Sequence, residues 1–201
     1  MTSRPLLSCL WLAFLLLPTA AAAKELRYEL DPVHSRIVFL VEHAGFSRAI
    51  GTFSGLTGEL LFDPDAPATS RVRASIPIAS LDLGDAKWRK SVLDPTFFDA
   101  AEFAAAHFVS QTVDATHSPQ LRVAGELELH GVSRPVTLEA TFNKLDRHPL
   151  NLRRTIGFSA RTVLRRSDFG MLKWKKLVGD EVEVLIEIEA VRKRAAKPDR
   201  D

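Results

Sequence analysis

Asp31, His34 and Ser35 are the three residue types of an activated serine nucleophile, and they stand within five residues of one another. Such a serine needs a histidine to take its proton and a carboxylate to orient that histidine. The short spacing does not settle that geometry. The structural alternative is that Asp31-Pro32 turns the chain while His34 and Ser35 satisfy buried backbone groups at a strand entrance. An enzymatic reading would use Asp31, His34 or Asp168 as acid or base, but no coherent nucleophile–base pair accompanies them, so no catalytic residue is assigned. The six histidines form no HExxH or HxH grouping, and no metal site is expected. There is no GxGxxG and no P-loop. Gly51, Gly55 and Gly58 are too widely spaced for a phosphate cradle and fit bends in a curved sheet. Arg165-Arg166-Ser167-Asp168 suits either an anionic headgroup or a structural Arg–Asp pair that pins a turn.

The ends of the chain bound where any such chemistry operates. Arg4, the apolar run Leu6–Leu17 and the small residues Thr19–Ala23 read as an export signal cleaved after Ala23. The apolar run is about 12 residues, too short to span a bilayer comfortably. Cys9 is the sole cysteine, so the processed chain would hold no disulfide, thiol nucleophile or cysteine-ligated metal. Without Arg4 the count is 26 Lys+Arg against 25 Asp+Glu, which offers nucleic acid no basic excess. The expectation is one domain over residues 24–191, a charged tail over 192–201, and a product soluble in an extracytoplasmic space without stable membrane insertion.

The elements that must position these groups are strands. In Glu181–Val191, Val182, Val184, Ile186, Ile188 and Ala190 share one face, while Glu181, Glu183, Glu187 and Glu189 share the other. That is the period-2 pattern of a half-buried strand. Leu185 is the lone apolar residue on the charged face. The same alternation runs through Ser35–His43, Arg71–Ile78, Gln120–His130, Pro135–Asn143 and Thr155–Leu164. Leu26–Leu30, Gly51–Phe62 and Ala106–Val113 are shorter candidates. About eight strands with so little helix predict an all-β sandwich or an up-and-down barrel, and closure would remove exposed edges. Two segments lack the alternation. Ala86–Phe103 reads as one or two short helices around Asp94-Pro95, and Gly170–Val178 as one or two amphipathic basic turns.

Aromatic residues are unevenly placed. The processed chain has 11 phenylalanines and one tyrosine, and Trp88, Phe97, Phe98 and Phe103 crowd the non-strand insert. Rings on such an insert must be buried on the outside of a barrel or across its mouth. Across the mouth, they would leave the interior free for an elongated ligand.

Several blocks, in order, resemble the YceI-like family of exported, lipocalin-like barrels. They are Tyr28-Glu29-Leu30-Asp31-Pro32-Val33-His34-Ser35, Gly51-Thr52-Phe53-Ser54-Gly55, Phe97-Phe98-Asp99-Ala100, Gly125–Val136 and Arg166-Ser167-Asp168-Phe169-Gly170-Met171. The resemblance implies a closed antiparallel eight-stranded barrel with a short helical insert and a long hydrophobic pore. It implies a long-chain lipid ligand (a polyisoprenoid, an isoprenoid quinone or another amphiphile) and neither catalysis nor a cofactor. Alternation and resemblance together place Ile37, Phe39, Val41, Phe53, Ile76, Phe97, Phe103, Phe108, Leu127, Phe142, Phe158 and Phe169 on the pore lining. His34, Arg166 and Asp168 are the headgroup candidates. A homodimer stays open. The chain departs from the family pattern at Trp88–Val92 and at Ala104, both in the insert that would gate the pore. A lipid-modifying enzyme and a filled structural barrel are the competing readings.

Overall fold

The computed structural model describes residues 26–193. The expected export signal lies outside the described residues, as does most of the tail. Arg192 and Lys193 do not belong to a tail. Arg192 ends the last strand, and the Lys193 N–H donates to the Arg27 carbonyl.

Ten strands form: β1 Leu26–Leu30, β2 Arg36–His43, β3 Ser47–Phe53, β4 Thr57–Phe62, β5 Arg71–Pro77, β6 Ala105–Asp114, β7 Gln120–Leu129, β8 Val132–Arg147, β9 Arg154–Arg165 and β10 Val178–Arg192. All pairings are antiparallel, and β1 pairs both β4 and β10, which closes the ring β1-β4-β5-β6-β7-β8-β9-β10. β2 continues along the edge of β10 where β1 leaves off, with Leu30 opposite Ala190 and Arg36 opposite Glu187. β3 pairs β2 as β4 pairs β1. The ten segments are thus eight staves of a closed barrel, two of them bent.

The bends have local causes. Asp31 Oδ1 accepts from the Val33 and His34 N–H groups, an Asx-type turn that breaks β1 from β2. Gly51–Phe62, expected as one strand, is interrupted at 54–56. There Gly55 takes φ +67, and Gly58, at φ +148, approaches the Arg73 backbone so closely that a Cβ would lie 2.0 Å from its carbonyl oxygen. Strand β8 is longer than its Pro135–Asn143 alternation because a bulge between Phe142 and Lys144 resets the parity, so that Leu145 meets Ile156.

The insert holds one helix, α1, Ala86–Leu93. Asp85 caps it by accepting from the Trp88 N–H at 2.7 Å. Pro95 follows the helix end instead of opening a second helix, because the peptide N–H groups beyond it close turns on Asp94. Gly170–Val178 is likewise not helical. Its turn closes when the Leu177 and Val178 N–H groups both donate to the Trp174 carbonyl.

Candidate functional site

Inward-facing positions line up across the strands. Val182, Val184, Ile186 and Ile188 of β10 stand opposite Leu164, Thr162, Ala160 and Phe158 of β9. On the other edge of β10, Val41, Phe39 and Ile37 oppose Val182, Val184 and Ile186. The enclosed cavity measures about 570 Å³, within the usual range for small-molecule sites of roughly 300–1,000 Å³. Its lining is apolar apart from His43, Ser70, Arg71, Ser91, Thr162 and Arg166.

Two glycines help keep that space open. Gly51 stands opposite Phe39 on the neighbouring strand, and a Cβ there would lie 2.2 Å from Phe39 Cζ. A Cβ on Gly125 would lie 2.6 Å from Phe108 Cζ. Each ring therefore lies flat over a glycine on the barrel wall instead of reaching across the lumen. Larger residues at either site would push a ring inward or the strands apart.

One end of the barrel is packed. Tyr28, Leu30, Leu60, Phe62, Ile156 and Ala190 form a buried cluster. Phe62 stacks on Phe142 at 5.5 Å and meets Phe158 edge-on at 5.6 Å. Tyr28 is fully buried, its hydroxyl has no hydrogen-bond partner among the described residues, and burial raises its pKa. At the other end the cavity is bordered by Trp88, Trp174 and Leu177, all exposed to solvent. That end is the mouth. Phe97 and Phe98 of the insert also border the cavity, and Phe98 meets Phe53 edge-on at 5.5 Å.

Of the residues expected to line a pore, Ile37, Phe39, Val41, Phe53, Ile76, Phe97, Phe108, Leu127, Phe158 and Phe169 border the cavity. Phe103 and Phe142 do not. Phe103 packs on the His130 ring at 4.9 Å and over Gly131, a turn at which both backbone φ angles are positive. Phe142 sits beneath the cavity floor among Phe62 and Phe158. Trp174 and Leu177 went unread as lining because their turn carries no alternation to reveal it, and Trp88 because it lies on the helix of the insert.

The headgroup candidates separate. Arg166 is buried and fully engaged. Its Nε donates to Gly179, Nη1 to Met171 and Nη2 to Val178, all backbone carbonyls. Burial lowers the guanidinium pKa, and Asp180 partly offsets this. The residue clamps the mouth loop to the start of β10. Its acidic neighbour is Asp180, not Asp168. Asp180 accepts from the Ser167 N–H and hydroxyl at 3.0 and 2.8 Å, and Asp168 faces solvent. His34 lies on the outer surface away from the lumen. Its Nδ1 is 2.9 Å from Asp31 Oδ2.

The Asp31–His34–Ser35 constellation does not assemble a nucleophile. Ser35 is fully buried, and its hydroxyl donates to the Glu189 carbonyl at 3.2 Å and accepts from the Glu189 N–H at 3.3 Å. It stitches β2 to β10. Burial raises the Asp31 pKa, but hydrogen bonds from the His34 ring and the Val33 and His34 N–H groups outweigh it and leave the carboxyl lowered. That hydrogen bond from the His34 ring to Asp31 also raises the His34 pKa. Glu189 brings a third potential ligand atom to this pair, all within 4.8 Å of one another. The group lies outside the cavity.

A closed antiparallel barrel around an apolar lumen, open at one end under aromatic side chains, is the architecture of lipocalin-like binding proteins. The YceI-like domain model matches residues 28–190, and the chain belongs to that family. A UPF0312 protein of Pseudomonas fluorescens is 33% identical over 172 residues, covering 86% of this chain and 88% of the relative. BcnA of Burkholderia cenocepacia superimposes with a TM-score of 0.71 at 25% identity, covering 80% of this chain and 98% of that one. A polyisoprenoid binding domain from Saccharophagus degradans shares the fold with a TM-score of 0.65 at 15% identity, covering 84% and 99%. Among the described residues no helix is long and apolar enough to cross a membrane.

Proposed function

We propose that this protein is a non-catalytic carrier that sequesters a long-chain lipid, of the isoprenoid class or a similar amphiphile, in the barrel lumen. The observation that carries the reading is the apolar cavity of about 570 Å³ with aromatic side chains at its mouth. The polyisoprenoid-binding neighbour and the export signal expected at residues 1–23 support a periplasmic carrier in particular. Ser35 is committed to the β10 backbone, which favours binding over acyl chemistry at the outer cluster.

Such a ligand offers few polar handles, so affinity must come from apolar burial. At roughly 0.8 kcal/mol per CH₂, a few tens of carbons would exceed the practical ceiling of about 18–21 kcal/mol. Ordering a flexible chain and parting the mouth therefore set the affinity, not the supply of apolar surface. With Arg166 spent on the loop, a headgroup at the mouth meets His43, Ser91, Trp88 and Trp174.

Incubation with a polyprenol, an isoprenoid quinone and a straight-chain fatty acid, followed by gel filtration and organic extraction, tests this. Retention of one of these chain classes, lost in Phe39→Asp and Phe158→Asp variants that keep the native circular dichroism spectrum, is the expected result. Equal uptake by wild type and both variants would overturn the lumen as the site.

A further inference from the structure

The rim of the mouth carries large apolar side chains that stand in solvent. Phe46, at the tip of the β2–β3 hairpin, is 92% exposed. Leu172 and Trp174 are more than half exposed. Trp174 takes φ +57, a left-handed conformation that a bulky residue adopts only at a cost. Lys173, Lys175 and Lys176 alternate with these residues, all exposed, and no acid occurs between Gly170 and Gly179. Hairpin and loop form one surface, because the Ala44 N–H donates to the Leu177 carbonyl at 2.6 Å. Helix α1 joins it through Trp88, whose ring is 5.9 Å from that of His43, and adds the exposed Lys87 and Lys90. Among the described residues the ion-paired lysines are Lys144 and Lys193, none of these five. The adjoining carboxylates are mostly committed. Glu42 accepts from the Gly45 N–H, and Asp180 holds Ser167. Asp168 is exposed beside the loop.

Contiguous exposed apolar residues ringed by uncommitted cations mark an interaction surface. Tryptophan and lysine together match the bilayer interface, where the indole sits among headgroups while the ammonium reaches lipid phosphate. We propose that this rim seats the barrel mouth-down on an anionic lipid bilayer. The charge pattern selects the partner: cations interleaved with apolar side chains complement a surface that is anionic outside and apolar beneath. The inference rests on the carrier reading in one respect, that a seated mouth lets an apolar chain enter the lumen without crossing water. The docking itself can be measured without any cargo.

Flotation with vesicles of phosphatidylcholine alone, and of phosphatidylcholine mixed with phosphatidylglycerol, tests it. The protein is expected to float with the anionic vesicles and to be released by salt. A lysine near an anionic surface is worth about fivefold in partitioning, so K173E/K175E/K176E is expected to lose about a hundredfold or more. R147E/R153E/R161E, which changes the net charge equally on other surfaces, controls for long-range charge and for binding by the N-terminal apolar segment. It should lose far less. Tryptophan emission is expected to shift to the blue on the anionic vesicles, and W174F to reduce the shift, leaving the part that Trp88 contributes at the same rim. Equal partitioning of the two triple variants, or no preference for anionic vesicles, would overturn the proposal. The lipid content of the protein in solution separates the two readings. Cargo without vesicle binding refutes docking alone, and vesicle binding by a barrel that takes up no lipid refutes the carrier alone.

Discussion

At one end of the barrel Tyr28, Phe62, Ile156 and Ala190 interlock with almost no exposure, while at the other Trp88, Trp174 and Leu177 stand half in water around an opening. Both ends use large apolar residues. The difference lies in the backbone that carries them. At the packed end β1, β4, β8 and β9 bring their side chains inward in register, with Phe142 directly opposite Phe158. At the mouth the chain leaves the strand ladder, and a helix and a turn supply the rings from above. A sheet's alternation fills space, whereas turns and a short helix can rim it. One chain can therefore be closed at one end and receptive at the other.

Breaking the packed end should have the largest effect on stability. Phe62→Ala removes a ring that stacks on Phe142 and meets Phe158 edge-on and is expected to cost about 3–5 kcal/mol, read as a fall in the urea midpoint. Phe97→Ala at the mouth should cost well under half of that while weakening lipid retention. Equal destabilisation would erase the contrast between the ends.

Next in size is Arg166→Ala, which frees three backbone carbonyls from one buried guanidinium. A loss of about 2–4 kcal/mol is expected, with hydrogen exchange accelerated in residues 171–179 before it changes in β7 or β8. Arg166→Lys should recover little, since an ammonium cannot span the three acceptors.

Gly51→Ala sharpens the comparison from inside the lumen. Its methyl group displaces the Phe39 ring, at a cost of about 1–3 kcal/mol, and should cut lipid capacity more than Phe97→Ala does. Unchanged capacity would show that the ring does not set the width of the lumen. A smaller effect is expected at Tyr28. Tyr28→Phe removes a buried hydroxyl without a partner among the described residues and should leave stability unchanged or raise it by up to about 1 kcal/mol.

The smallest effect is expected on the outer surface. Asp31 has a lowered pKa and His34 a raised one, each through the other. The pair's contribution is lost as pH falls through the Asp31 value and as it rises through the His34 value. His34→Ala should remove the alkaline part of that dependence and leave lipid retention untouched.

Much of this architecture was legible in the sequence. Val182 to Ile188 and Phe158 to Leu164 alternate cleanly, and their inward faces border the cavity. Leu185 interrupts the charged outer face, as its spacing says, and is 37% exposed. Phe142 shows where that reading runs out. It keeps its inward parity, but the bulge after it and the register with Phe158 put it beneath the cavity. The part played by Gly51 depends on its partner across the strand, which local pattern does not specify. From its neighbours Arg166 suited a structural pair or, less readily, a headgroup. Only the returning backbone of Met171, Val178 and Gly179 decides that it is a clamp. Phe103 follows the same logic, since the His130–Gly131 turn that receives it comes from a distant hairpin.

Native mass spectrometry of the protein as isolated, followed by organic extraction and identification of whatever is released, tests the central claim most directly. A stoichiometric long-chain lipid, lost in Phe39→Asp and reduced in Gly51→Ala, is the predicted result. A ligand-free mass that stays unchanged after exposure to polyprenols, isoprenoid quinones and fatty acids would contradict it and leave a barrel with an unused cavity.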